Sequence, residues 1–342
     1  MDTVGKFMKS KYGFVLFACV FIGLFPGSSG GGTVFSAQRS NVSPSQALSG
    51  FQIFDSDAGI EPHQVQSGSL RFAVIGDYGS DSEAEADVAV LVKSWDPDII
   101  VTTGDNNYNN GSADTIDKNI GKYYREFIYP YKGSYGEGAQ INRLFPSLGN
   151  HDWNTTDAQP YLDYFTLPGN ERYYDFTWGA VHFFVLDSDA NEPDGISSTS
   201  VQAAWLKSQL ANSSYPWKIV VLHHAPYSSG DHGSNVLRQW PFADWGADVI
   251  LAGHDHTYER ITQDGILYFV NGLGGKSIYG FPDIVDGSQL RYNEDYGAML
   301  VDVSIGKIRF RFINRQGVVI DDIDLVKPLS YWYLPHLQQK SP

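Results

Sequence analysis

The chain has 342 residues and carries 24 Lys plus Arg against 39 Asp plus Glu, a formal net charge of −15. That balance excludes a binder of nucleic-acid backbones, which needs a basic stripe, and 42% hydrophobic with only 18% charged residues excludes wholesale disorder. The single cysteine, Cys19, excludes an internal disulfide framework and any multi-cysteine zinc or iron–sulfur site, so a metal must be held by His, Asp, Glu, Asn or Tyr.

In chain order, residues 1–36 read as an export signal. Lys6, Lys9 and Lys11 precede an apolar run over residues 13–25, which is shorter than the about 20 residues a membrane span needs. Val34 and Ser36 suit cleavage before Ala37; left uncleaved, the segment would be an anchor. Residues 37–69 are Ser- and Gln-rich and read as a polar linker, 70–328 as one domain and 329–342 as a tail. Asn-x-Ser/Thr triplets at Asn41, Asn110, Asn154 and Asn212 carry little weight, because the pattern is common by chance.

Within the domain the pattern predicts strands at Leu70–Ile75, 98–103 and 144–148, and helices over 82–95 and 120–131. A hairpin is expected from 173–178 and 180–187, then a helix over Val201–Asn212 and strands at 217–222 and 248–251. The stretch 266–325 is strand-rich, with turns at Gly306 and Gly317. Strand–helix alternation followed by strands predicts an α/β fold of two mixed β-sheets packed as a sandwich and flanked by helices.

Five of these strands end in polar turns rich in metal-ligand residue types. They are Gly76-Asp77-Tyr78-Gly79, Gly104-Asp105-Asn106-Asn107-Tyr108, Gly149-Asn150-His151-Asp152, Val221-Leu222-His223-His224 and Gly253-His254-Asp255-His256. Taken singly, an Asp after Gly is an ordinary turn former and a lone His is an ordinary core residue. His254-x-His256 is stronger, since alternate residues of an extended segment face one way. Ligands of α/β proteins gather outside the carboxyl ends of strands, so five such turns can converge on one cleft.

These five blocks, in this order, resemble the calcineurin-like metallophosphoesterases and specifically the purple acid phosphatases, whose pattern is Asp-x-Gly, Gly-Asp-x-x-Tyr, Gly-Asn-His-Asp/Glu, Val-x-x-His and Gly-His-x-His. The resemblance covers roughly residues 70–325 and implies the metallophosphoesterase fold. It implies a ferric site held by Asp77, Asp105, Tyr108 and His256, and a divalent site (Fe, Zn or Mn) held by Asp105, Asn150, His224 and His254, with Asp105 shared. His224 is preferred to His223 because it fits both Val221-x-x-His224 and His224-Ala225-Pro226, which leaves His223 in the core. His151 and His232 are the expected catalytic residues. His232 lies in Asp231-His232-Gly233, one residue earlier than a similar acidic-His-Gly in the mammalian tartrate-resistant enzymes. Asp152 is expected to orient His151, and Glu259 with Arg260 to form a structural pair.

The implied activity is phosphomonoester hydrolysis by an exported acid phosphatase of the small, single-domain type, through in-line attack of a metal-bound hydroxide. Small phosphate esters are the expected partners, with no nucleic acid and no membrane once the signal is cleaved. Two cations about 3.5–4 Å apart would let so acidic a chain bind an anionic ester, because the local field outweighs the global charge. A phosphodiesterase of the same fold is disfavoured by Gly79 and Tyr108, where such relatives have His and lack Tyr. A non-enzymatic binding module is disfavoured because no expected ligand position is lost. The loop 187–199, with Asp189, Glu192 and Asp194, stands where the small enzymes carry a regulatory loop.

Overall fold

The computed structural model describes residues 69–328; the expected signal, linker and tail, and Cys19, lie outside the described residues. With strands numbered in chain order, the first sheet runs β13 (Val319–Val326), β12 (Lys307–Asn314), β11 (Gly297–Ser304), β1 (Leu70–Ile75), β2 (Ile99–Thr102) and β3 (Leu144–Pro146). The second runs β10 (Ser288–Tyr292), β8 (Tyr258–Gln263), β9 (Ile266–Asn271), β7 (Val249–Gly253), β6 (Trp217–His224), β5 (Val181–Val185) and β4 (Tyr174–Trp178). Strands β1 to β3 are parallel, as are β5, β6, β7 and β9, while β11 joins β1 antiparallel with Phe72 opposite Val301. Both sheets are therefore mixed, as the strand and helix pattern implies.

The alternation of β-strand side chains divides the core into two layers. Phe183, Ile219 and Val221 pack with Phe72, Val301 and Phe310 in the inner core, whereas Phe184, Val220 and Leu222 face outward to Leu206 and Leu210 of the helix Val201–Asn212. At about 25 cal/mol per Å² of apolar surface removed from water, such doubly covered strands are the main source of stability.

The helix Glu83–Ser94 begins at Ser82, whose hydroxyl accepts from the Glu85 backbone N–H, while the Glu85 carboxylate caps Ser80 and Asp81. The helix expected over 120–131 starts earlier and stops earlier. Ser112 caps Ala113, and the helical path continues through a π-turn at Asp117–Gly121 to Phe127. It ends before Tyr129-Pro130, because a residue preceding proline is pushed out of the α region. Short helical turns over Asp152–Asn154, Thr156–Ala158 and Gln159–Tyr164 were not anticipated.

Candidate metal centre

The carboxyl ends of β1, β2 and β3 in one sheet and of β6 and β7 in the other deliver the five turns to one place. Asp77 and Asp105 both adopt positive φ, 55° and 52°, a conformation Asp tolerates better than most residues. Gly104 precedes Asp105 at φ 92°, and a Cβ there would lie 2.7 Å from His223 Nδ1. Gly149 is needed for a similar reason: its Cβ would fall 2.2 Å from Asp105 Oδ1. The two glycines let three turns approach more closely than side chains would allow.

Backbone amides tie the turns together. His254 N–H donates to Asp77 Oδ2 at 3.0 Å, and His151 N–H donates to Asp105 Oδ1 at 2.9 Å. The Tyr108 hydroxyl stands 2.8 Å from Asp105 Oδ2, 3.1 Å from Asp77 Oδ1 and 3.1 Å from His256 Nε2. His256 Nε2 lies 3.4 Å from Asp77 Oδ1. Thus Asp77, Asp105, Tyr108 and His256 form one contiguous set of donors.

On the other side the structure corrects the choice made in the fourth block. His223, not His224, faces the carboxylates. Its Nε2 lies 3.4 Å from Asp105 Oδ1, 3.1 Å from Asn150 Oδ1 and 3.2 Å from His254 Nδ1, while Nδ1 bonds the Thr103 carbonyl at 2.8 Å. Donor atoms of Asp77, Asp105 and His223 all lie within 4.8 Å of one another. His224 instead meets the Ser188 hydroxyl through Nδ1 at 3.0 Å and lies tilted against the His254 ring. The cause is the two-residue period of β6: His223 continues the inward face of Ile219 and Val221, and His224 the outward face of Val220 and Leu222. Val220-Val221-Leu222-His223 also fits Val-x-x-His, so periodicity was the missed signal. Counted from His223, His232 is nine residues on rather than eight, and its offset from the mammalian loop disappears.

The donor chemistry fits cations. Burial, with Asp105 close by, pushes the Asp77 carboxyl well above its ordinary value, and burial with both carboxylates pushes the Tyr108 phenol up. Burial holds the His254 imidazole far below its ordinary value and His256 down at about 4, so both stay neutral as metal ligands must. Two buried carboxyls, a phenol and three imidazoles meet here through a chain of short contacts, a donor set whose charge bound cations would balance.

His151 and His232 flank this centre. The His151 ring lies tilted against Tyr108 with ring centroids 4.4 Å apart, and Nδ1 bonds the Asn109 carbonyl at 2.6 Å. The carbonyl orients it, not Asp152. Asp152 Oδ2 instead accepts from Gly149 N, Asn106 N and Asn106 Nδ2, joining the second and third turns. His232 stacks over His254 at 4.2 Å, and its backbone N–H donates to Asp255 Oδ1 at 2.7 Å. The residue between the two histidines of the fifth turn thus anchors the His232 loop, a role its position did not reveal.

Glu259 and Arg260 are structural but not a pair, because neighbours on β8 point to opposite faces. Glu259 accepts from Ser229 and Ser288, whereas Arg260 pairs with Asp321. In the loop after β5, Glu192 and Asp194 pair with Arg172, and Asp187 accepts from Trp153. Sequence reasoning also missed Asn119, buried on the π-turn. Its amide donates to the Gly79, Tyr108 and Asn107 oxygens and clamps the first two turns. The segment after β9 was missed as well: Ser277 bonds His256 Nδ1, and Tyr279 stacks on that imidazole at 4.1 Å.

The calcineurin-like phosphoesterase family model matches residues 70–258, and the chain belongs to that family. Its curated relatives include purple acid phosphatase 4 of Arabidopsis thaliana, 26% identical over 311 residues covering 78% of this chain and 87% of the relative. Human tartrate-resistant acid phosphatase type 5 is 24% identical, covering 60% of this chain and 73% of its own. Among solved structures, a purple acid phosphatase from yellow lupin seeds superposes with a TM-score of 0.65 at 18% identity, covering 78% of this chain and 55% of that one. GAP50, described as the anchor in the inner membrane complex of Plasmodium, superposes at 0.61 with 23% identity, covering 76% and 90%. The two likenesses to solved structures concern the fold.

Proposed function

We propose that this phosphoesterase is an exported acid phosphatase of the purple type, hydrolysing phosphomonoesters at a centre of one ferric and one divalent ion. The observation that carries the reading is the meeting of Tyr108 with Asp77, Asp105 and His256 on one side, and of Asn150, His223 and His254 on the other. The phenol and carboxylates are hard oxygen donors suited to ferric iron, and the imidazoles and amide suit a divalent ion. Such a pair, when bound, neutralises phosphoryl oxygens and makes water a nucleophile near or below neutral pH.

The chain's own residues do the rest. Asp105 lies between the two donor sets and belongs to both. His151, held by the Asn109 carbonyl, donates toward a phosphoryl oxygen as charge builds in the in-line displacement by water. His232 delivers a proton to the departing alkoxide, and no covalent phosphoenzyme is needed. Export rests on residues 1–36, and N-terminal sequencing of secreted protein tests it.

The decisive experiment combines metal analysis, visible spectroscopy and a panel of mono- and diesters. A phenolate on ferric iron gives a visible charge-transfer band, so iron-loaded protein should be pink to violet and Tyr108→Phe colourless. Colourless wild type at full iron occupancy, or unchanged colour in the variant, removes the purple assignment. Diester preference moves the chain to the phosphodiesterases, and metal binding without turnover moves it to the non-enzymatic modules.

A further inference from the structure

Lys276 brings a basic side chain up against the Tyr108 side of this site, and none of the five turns contains it. It lies between β9 and β10, and its backbone N–H donates to the Asp77 carbonyl at 3.1 Å, so a ligand-bearing turn fixes its place. Its Nζ donates to Asn109 Oδ1 at 2.8 Å and stands 4.8 Å from the centroid of the Tyr108 ring. Lys276 as a residue is half-buried. Its contacts are an amide oxygen and an aromatic face, with no ion pair among the described residues, in a chain whose acids outnumber its bases.

Asn109 holds two groups at once. Its side-chain oxygen takes Lys276, and its main-chain oxygen takes His151 Nδ1 and Asn154 Nδ2. Ammonium and imidazole are therefore both tied to Asn109 and both lie against the Tyr108 ring. On the phosphohydrolase reading His151 meets the scissile phosphoryl group, and the shared tie to Asn109 puts Lys276 within reach of a group beside it. An ammonium has three protons, and Asn109 uses one. Resting on the phosphohydrolase reading above, we propose that Lys276 is a specificity-determining residue that binds a second anionic group beside the scissile phosphoryl. It favours pyrophosphate and organic diphosphates over monoesters with an uncharged leaving group.

The test uses full-length, metal-loaded wild type, Lys276→Met and Lys276→Arg, each at verified metal content. Calorimetry measures binding of methylenediphosphonate and of inorganic phosphate, and kinetics compare pyrophosphate with p-nitrophenyl phosphate. Lys276→Met should weaken methylenediphosphonate about tenfold or more, the scale of a hydrogen bond between charged groups, and weaken phosphate several-fold less. The loss for pyrophosphate should fall mainly in KM, and Lys276→Arg should restore most of it. Equal weakening of both ligands would assign Lys276 to the scissile phosphoryl and overturn the proposal, as would no weakening at all. Wild type inactive on both substrates defeats the phosphohydrolase reading itself, whereas active wild type with an unchanged substrate ratio in Lys276→Met defeats only this inference.

Discussion

Replacing His223 and His224 one at a time by alanine separates two neighbouring, buried imidazoles with opposite expected outcomes. His223 Nε2 stands within 3.4 Å of Asp105, Asn150 and His254 atoms, at the centre of the second group of donors. His224 reaches the site only through the Ser188 hydroxyl and ring contact. Losing a partner of a ligand lowers metal affinity about 10–100-fold, and losing a ligand itself must exceed that. His223→Ala should therefore lose more than about 100-fold, roughly 2.7 kcal/mol at 1.36 kcal/mol per tenfold, and His224→Ala should lose less. Each alanine also removes a buried hydrogen bond, worth about 1 kcal/mol net, so each variant controls for the other's packing loss. The assay is competition against a chromophoric chelator, with thermal unfolding to establish the fold. If His224→Ala loses the second metal equivalent while His223→Ala keeps it, the strand-face argument is wrong.

Four further outcomes follow from the same geometry. Asp105→Asn keeps the side-chain volume but removes the shared charge, and should lose both metals, read by elemental analysis; retention of either ion contradicts a shared carboxylate. His232→Ala should lose about 10²–10⁴-fold on alkyl phosphates, the usual range for general acid help, and less on p-nitrophenyl phosphate; equal losses reduce it to a phosphate contact. Asp255→Ala strips the acceptor from the Ser228 hydroxyl and the His232 N–H. It should lower stability by about 1–3 kcal/mol and reproduce the leaving-group dependence of His232→Ala at full metal content, so unchanged dependence would refute its anchoring role. Burial raises the Asp152 carboxyl from 3.8 to about 7 in metal-free protein, so the folded state holds a proton the unfolded state has released. Its stability should then fall as pH rises from about 4 to about 7. Urea unfolding in chelator should show that decline in wild type relative to Asp152→Asn, and a pH-independent difference between the two refutes it.

Much of the molecule was legible in the sequence because its signals are local. Strand runs such as Leu70–Ile75 and the helices Glu83–Ser94 and Val201–Asn212 follow from the spacing of apolar residues within a few turns of chain. The two mixed sheets followed from element order, and six of the seven expected ligand positions lie together at the strand ends because each belongs to a short turn with its own glycine. Only the tertiary structure decided between His223 and His224, because that choice depends on which face of β6 meets the other sheet, and both residues fit the linear pattern. It also decided that the Asn109 carbonyl rather than Asp152 orients His151, and that Asp255 holds the His232 loop. Asn119 clamps the Gly79 and Tyr108 turns across 40 and 11 residues, and Lys276 meets Asn109 across 167. Hydrogen bonds between residues so far apart leave no period, cap or spacing in the sequence; they come into being only when the sheets pack.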